Sequence, residues 1–227
     1  MKRTKLADRV LPDYYKGEEI MNFVTHAAGG AMGVVILVLC VVRSATHMSS
    51  IAVTASAIYG VSMILLYTMS SVYHGLRPGM GKKVLQVIDH CTIYLLIAGS
   101  YTPVSLCALR VVSPGLGWGI FFFEWIMAAI AITLTAIDLD RFNLFSMICY
   151  IGLGWAIIPF WKQTMVALTP MGCGLLLLGG IAYTVGAVLY GIGSKRHWMH
   201  SVFHIFVVVG SLLQFFAIYD YALCACF

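Results

Sequence analysis

The stretch from Met199 to Tyr219 reads MHSVFHIFVVVGSLLQFFAIY and decides the class of fold. It contains no aspartate, glutamate, lysine or arginine, and its length suits one helical crossing of a bilayer, which needs about 20 apolar residues. Two histidines, His200 and His204, lie one helical turn apart at its start. Because lipid penalises ionisable side chains, this pair predicts a specific role for the beginning of the segment.

The composition of the whole chain has the same character as this stretch. Hydrophobic residues make up 61% of the 227 residues and charged residues only 10%, and the mean hydropathy is +0.92. These values exclude a water-soluble globule and indicate an integral membrane protein. No basic run extends beyond a flanking pair, so the sequence gives no support for nucleic-acid binding.

Apolar segments recur along the chain and predict a single all-α membrane domain. We place seven transmembrane helices, separated by short polar breaks that contain glycine and proline. The polar residues 1–19 lack the apolar core of a signal peptide and are interpreted as a cytoplasmic tail, which leaves 20–227 as one seven-helix transmembrane domain. The predicted spans cover residues 20–42, 50–74, 86–109, 116–137, 143–161, 171–192 and 199–221.

The basic residues predict the orientation of these spans. With seven crossings, Arg43, Arg110 and Lys162 lie on one side, and the rest of the 14 lysines and arginines lie on the other. Since cytoplasmic loops are enriched in lysine and arginine, we expect the amino terminus in the cytoplasm and the carboxyl terminus outside. The net charge of +5 is then an orientation signal toward the anionic inner leaflet.

This topology brings five polar residues to one depth, in the cytoplasmic half of the membrane. Ser70 and His74 end the second span, Asp89 begins the third, and His200 and His204 begin the seventh. Residues four apart share a helix face, so three helices can direct imidazoles and a carboxylate at one point. Imidazoles near a carboxylate suit zinc, and three protein ligands with an open fourth position are typical of catalytic zinc. Other first-row metals remain alternatives, since histidine ligands discriminate weakly between them.

Several motifs in the chain are similar to one family of membrane proteins. The stretches Glu18 to His26, Ser70 to His74, Asp89 to Pro103 and His200 to His204 together resemble the bacterial hemolysin III family. That family belongs to the progestin and adipoQ receptor (PAQR) superfamily, which is related to the alkaline ceramidases. The resemblance spans essentially all seven predicted helices and implies a multi-pass protein of the bacterial inner membrane.

The resemblance also implies a function and a set of site residues. It implies a zinc ion held by His74, His200 and His204. Asp89 matches the acid that holds the reactive water, and Ser70 matches the serine beside it. The implied activity is zinc-dependent intramembrane hydrolysis of lipid amides such as ceramides, with a role in membrane-lipid homeostasis. Membrane lipids are the expected partners and a lipid amide is the expected substrate.

Alternatives to catalysis remain open for the same residues. A membrane sensor or receptor-like protein, or a haemolytic pore-forming protein, would use zinc only to staple the spans together. Structural zinc sites normally close all four positions with protein ligands, so an open position favours an enzyme. Ser70 could instead bond back to its own helix, and Asp89 could pair with Lys82 or Lys83 at the membrane interface.

Other residues of the predicted spans have no assigned role. His26 and His197 fit interfacial or hydrogen-bonded side chains, and Glu124 fits an external cavity or a helix-packing hydrogen bond. Glycine pairs such as Gly29 and Gly33 favour close packing of helices, with formation of a homo-oligomer as the second possibility.

Overall fold

A computed structural model describes residues 3–47, 49–193 and 196–226. Within these ranges the chain forms helices and no strand. Lys2 and Lys195, which contribute to the orientation prediction, lie outside the described residues. The main helices, numbered α1 to α7 in chain order, are Lys16–Thr46, Ser50–Gly75, Met80–Pro103, Pro114–Ile137, Asn143–Gly154, Trp161–Gly193 and Met199–Ala217.

Six stretches of the described residues are long and apolar enough to cross a membrane, where the sequence predicted seven spans. The difference lies in the fifth stretch, Asn143–Gly191, which contains the fifth predicted span and all but the last residue of the sixth. This stretch is not one regular helix. A 3-10 turn, Ile158–Phe160, separates α5 from α6, and Thr169 interrupts α6 with φ 62° and ψ 166°. Pro170 explains the interruption, because proline has no N–H to donate and disfavours helical geometry at the residue before it.

Local sequence signals account for several helix boundaries. The Ser49 hydroxyl caps α2 by accepting a hydrogen bond from the Ala52 N–H at 3.3 Å. Pro114 occupies the first turn of α4, where its missing N–H costs nothing. Pro103 ends the regular part of α3, and the helix continues as a π-helical segment, Val104–Leu109. Proline removes one helical hydrogen bond, and the wider π turn accommodates that loss.

Small residues set the distance between α1 and α2, which pack closely along their length. A Cβ atom at Gly29 would lie 2.5 Å from the Tyr67 ring, and one at Gly33 would lie 3.2 Å from Ile64. Only glycine permits this approach without displacing those side chains. The prediction of close packing at Gly29 and Gly33 is therefore confirmed. The contact also fixes the Tyr67 ring against α1.

The surface is apolar and much of the interior is polar, the reverse of a water-soluble protein. Val35 on α1 and Ile126 on α4 are each 57% exposed. Inside the bundle, the Tyr67 hydroxyl donates to the Ser211 hydroxyl at 2.8 Å and thereby joins α2 to α7. Exposed apolar side chains suit lipid, and interhelical hydrogen bonds satisfy polar groups that water does not reach. The protein is accordingly a multi-pass helical membrane protein.

At one end of the bundle, Arg43 joins the last turn of α1 to the segment after α7. Its guanidinium lies 3.6 Å from the Asp220 carboxylate and 4.3 Å from the centre of the Tyr219 ring. It also donates to the Cys224 sulfur at 2.7 Å. We call Arg43, Tyr219, Asp220 and Cys224 the Arg43 clamp.

At the other end, Glu18 joins the start of α1 to the start of α7. Its buried carboxylate accepts hydrogen bonds from the N–H groups of Tyr15, at 2.8 Å, and Trp198, and lies 3.3 Å from Nδ1 of His197. Trp198 is the residue that precedes α7. A negative charge there satisfies a free N–H and interacts favourably with the helix dipole. Glu18 thus holds the first turns of α7 beside α1.

Candidate metal centre

Three buried imidazoles meet where α2 ends and α7 begins. Nε2 of His200 lies 3.3 Å from Nε2 of His74 and 3.0 Å from Nε2 of His204. Each ring offers one nitrogen that lies within 4.8 Å of those of the other two. The structure thus brings together the three histidines that the sequence singled out as metal ligands. We call them the three-histidine cluster.

The spacing of these nitrogens suits a tetrahedral metal ion. Zinc binds histidine nitrogen at about 2.0–2.1 Å, which separates two ligand nitrogens by roughly 3.3 Å in tetrahedral geometry. A neutral imidazole nitrogen either donates or accepts, so three converging Nε2 atoms do not all satisfy one another. A cation at their centre would satisfy three lone pairs at once. The residues present therefore fit a metal ion.

Glu19 determines which nitrogen of His74 is free to bind. One Glu19 carboxylate oxygen lies 2.6 Å from His74 Nδ1, and the other accepts from Lys82 Nζ at 2.6 Å. The short contact assigns the proton to Nδ1, because a carboxylate only accepts hydrogen bonds. Nε2 then presents its lone pair to the cluster. A carboxylate behind a ligating histidine is the usual means of fixing the tautomer and orientation of that ring.

Asp89 and Ser70 lie beside the cluster on α3 and α2. Both line one cavity together with His200 and His204, and the Ser70 side chain interacts with the Asp89 carboxyl. The alternative pairing of Asp89 with Lys82 or Lys83 is wrong. Lys82 pairs with Glu19, and Lys83 donates to the carbonyl of Ala7 at 2.5 Å, because the amino-terminal segment lies across the start of α3.

The cavity extends from this polar end between the helices. Its volume is about 160 Å³, and apolar side chains such as Ile93, Phe203 and Val207 form most of its wall. Trp155 and Trp161 also line it. A mostly apolar cavity with a few polar groups gathered in one place is typical of a ligand site. The arrangement suits a molecule that carries a polar group on an apolar chain.

The amino-terminal segment covers the cluster from outside the bundle. The Tyr14 ring stacks on His200, with 4.9 Å between ring centres and 25° between planes. Burial raises the pKa of the Tyr14 phenol. Arg9 anchors the segment by donating to Gln86 at 3.1 Å and pairing with Asp140 at 3.3 Å. Part of what the sequence suggested to be a plain tail therefore packs on the site.

The sequence assigned no role in the site to one face of α1. Glu19, Asn22 and His26 follow one another at helical spacing, and all three face the cluster. Asn22 lies 3.4 Å from Nδ1 of His74, and His26 stacks on His204 with 3.6 Å between ring centres. The sequence does show that these side chains share a face, because residues three, four and seven apart lie on one side of a helix. Polar residues on such a face of a membrane helix point toward a partner.

The expectations for His197 and Glu124 have different outcomes. His197 is half-exposed and contacts Glu18, in agreement with an interfacial, hydrogen-bonded side chain. Glu124 is fully buried, and neither carboxyl oxygen has a hydrogen-bond partner among the described residues. The helix-packing hydrogen bond expected for Glu124 is thus not found in that part of the chain.

Comparison with known proteins shows the family of the chain. The model of a family described as haemolysin-III related matches residues 14–215. The chain belongs to the haemolysin-III-related family. It is 39% identical over 206 residues to Hemolysin-3 of Bacillus cereus, covering 91% of this chain and 92% of that protein. Hemolysin-3 homolog of Bacillus subtilis (strain 168) is 36% identical over 204 residues, covering 90% of this chain and 94% of that protein.

Similarity to a more distant human protein supports membership of this haemolysin-III-related chain in the wider superfamily. The monocyte to macrophage differentiation factor of Homo sapiens is 26% identical over 172 residues, covering 72% of this chain and 68% of that protein. The resemblance to the hemolysin III family and to the progestin and adipoQ receptor superfamily is therefore confirmed.

Proposed function

We propose that the protein is a zinc-dependent intramembrane hydrolase of lipid amides. One observation carries the proposal: two members of the three-histidine cluster, His200 and His204, line an apolar cavity whose wall also holds Ser70 and Asp89. A purely structural site would be closed by a fourth protein ligand. Here the group of possible ligands among the described residues consists of three histidines. Asp89, on the wall of the cavity, pairs with neither Lys82 nor Lys83.

The chemistry follows from the residues around the cavity. When bound to His74, His200 and His204, zinc supplies a Lewis acid that polarises a carbonyl and lowers the pKa of a water. Asp89 accepts a proton from the water that attacks the acyl carbon, and returns a proton to the amine as the C–N bond breaks. The Ser70 hydroxyl orients the Asp89 carboxyl. The products are a fatty acid and an amine.

The apolar wall of the cavity supports a lipid substrate. An acyl chain packed against Ile93, Phe203 and Val207 would leave its carbonyl at the polar end, beside Asp89. Zinc would be held by three neutral imidazoles, and the Asp89 carboxylate beside them would offset part of its charge in a low-dielectric interior. Glu19 and Lys82 form a separate, neutral pair behind His74.

We also propose seven crossings with the amino terminus in the cytoplasm. The Trp155 indole donates to the Thr184 hydroxyl at 2.9 Å, although an unbroken helix would separate these residues by about 44 Å. This contact supports a reversal of the chain within Asn143–Gly191, at the break near Thr169. The distribution of lysine and arginine supports the orientation. The similarity to two Bacillus proteins supports a bacterial cell membrane and a role in its lipid homeostasis.

The test compares bound zinc with hydrolysis of an N-acyl sphingosine by purified protein in detergent. His204→Ala should lose both the metal and turnover. Asp89→Asn should retain the metal and lose turnover by about 10²–10⁴-fold, the range for loss of a general base. Glu124→Gln is the matched control, a buried acid outside the cluster that should change neither.

The same measurements distinguish the alternative of a structural staple in a sensor or pore. A staple predicts that His204→Ala melts at a lower temperature while zinc-loaded wild type produces no fatty acid. That result would contradict the hydrolase. A zinc-dependent ion conductance across liposome membranes that contain the wild-type protein would support the pore instead.

A further inference from the structure

His26 occupies an enclosed position at the candidate site. It lies on α1 and is only 3% exposed. Its ring stacks on His204, with 21° between the planes, and meets the Tyr67 ring edge-on, with 5.0 Å between centres. Because Tyr67 packs against Gly29 on the same helix, the imidazole is held from two sides. Its orientation is therefore fixed by packing.

Neither ring nitrogen of His26 has a hydrogen-bond partner within the described residues. A neutral imidazole carries one donor and one acceptor. Leaving such groups buried and unpaired is costly, and native proteins rarely do so. A phenylalanine would fill the same aromatic position without that cost. The presence of nitrogens at this position therefore calls for a partner beyond the described residues.

The surroundings of His26 indicate what that partner is. His26 lines the same cavity as Ser70, Asp89 and His204. It is not in the group of three histidines able to share an ion. Its ring stacks face to face on His204. Because the lone pair of an imidazole nitrogen lies in the plane of the ring, the lone pairs of two stacked rings do not converge on one ion. The available partner is a polar group in the cavity.

We propose that His26 is a ligand-binding residue that hydrogen-bonds the polar head of a single-chain acyl lipid in this cavity. The proposal deepens the proposed function and rests on it for the class of ligand. An amide head carries both an N–H donor and a carbonyl acceptor, and either one matches a nitrogen of the imidazole. The apolar wall beyond Ser70 and Asp89 receives the chain. His26 and the metal site would then hold the same head from two directions.

The test uses the zinc-loaded protein in detergent and dodecanamide, a single-chain lipid amide, as the probe. His26→Phe keeps a ring stacked on His204 and removes both nitrogens. It should keep the zinc content and melt at or above the wild-type temperature, since it removes unpaired buried groups. Its Kd for dodecanamide should rise about tenfold, the factor expected for the loss of one buried hydrogen bond. Titration is followed by tryptophan fluorescence, because Trp155 and Trp161 line the cavity.

His26→Gln is the conservative variant, because glutamine offers a donor and an acceptor. It should bind dodecanamide within about threefold of wild type, a recovery that a purely structural role does not predict. Wild-type affinity in His26→Phe, or loss of zinc and a lower melting temperature in both variants, would overturn the proposal. So would a wild type that does not bind dodecanamide. A wild type that binds the probe but hydrolyses no amide would instead contradict the hydrolase, and the binding data would still decide the role of His26.

Discussion

The two ends of the bundle use polar side chains in opposite ways. In the Arg43 clamp, a donor meets acceptors and an aromatic face, so the group satisfies itself. In the three-histidine cluster, Nε2 of His200 lies within hydrogen-bond distance of two nitrogen atoms of the same kind. Groups that complement one another hold helices together, whereas like groups that converge require something between them. The comparison marks the cluster as the end of the bundle where an added group would complete the contacts.

The largest expected effect comes from breaking the cluster at its centre. Nε2 of His200 lies within hydrogen-bond distance of Nε2 of both other imidazoles. His200→Ala should lower zinc affinity by more than about 100-fold, because even residues that only support a ligand cost 10–100-fold. The measurement is a competition titration against a chromophoric chelator. Arg43→Met, at the opposite end, serves as the control, and equal losses in the two variants would contradict the distinction between the ends.

Removal of the support behind His74 should have the second largest effect. Glu19→Gln keeps the size of the side chain but weakens the short contact with Nδ1 and leaves Lys82 without its charge partner. Zinc affinity should fall by about 10–100-fold. Glu124→Gln, the same substitution at a buried acid away from the cluster, should leave zinc affinity at the wild-type value. An unchanged affinity in Glu19→Gln would show that Glu19 does not orient His74.

The Arg43 clamp should contribute to stability and not to the site. Arg43→Met keeps most of the apolar stem and should lower the free energy of unfolding by about 1 kcal/mol, since the ion pair is partly exposed and the cation–π contact is worth about 0.5–1 kcal/mol. Thermal unfolding in detergent measures the loss. A drop in amide turnover at temperatures where Arg43→Met is fully folded would contradict the separation of roles.

The smallest expected effect concerns the attachment of the amino-terminal segment. The Thr4 N–H donates to Asp138 at 2.8 Å and holds the pKa of that carboxyl below its usual value. A lowered pKa stabilises the folded form above the unfolded value of about 3.9, and this contribution is lost as the pH falls through the lowered pKa. Hydrogen exchange of residues 3–15, corrected for intrinsic rates, should therefore be a few-fold faster in Asp138→Asn than in wild type at pH 7. The two proteins should become alike in strong acid, and a difference that persists there would contradict this role of Asp138.

Much of the site could be predicted from local spacing. His200 and His204 share a helix face, His74 ends a span on the same side, and the basic residues indicate which side that is. The membrane class followed from composition. The histidine spacing is a local signal, and composition and charge are sums over the chain. None of them depends on how the helices pack.

Spacing places the polar residues of α1 on one face, but it does not show which side chains that face meets. Glu19 acts on His74 and His26 stacks on His204, and both contacts depend on how closely α1 approaches α2 and α7. The approach to α2 is set by the glycine face at Gly29. A hydropathy pattern also does not distinguish a broken apolar stretch from two spans. The break at Thr169 is a change in backbone dihedral angles, and the polarity of the sequence changes little there.

The contact between Tyr14 and His200 has a kinetic consequence. The aromatic ring and the anchored residues around it form a barrier between the aqueous phase and the three imidazoles. A hydrophilic chelator such as EDTA has to wait for this segment to detach before it can extract an ion. A chain shortened to begin after Tyr14 should therefore release its zinc to EDTA faster than the intact chain does, even where the two bind the ion equally tightly.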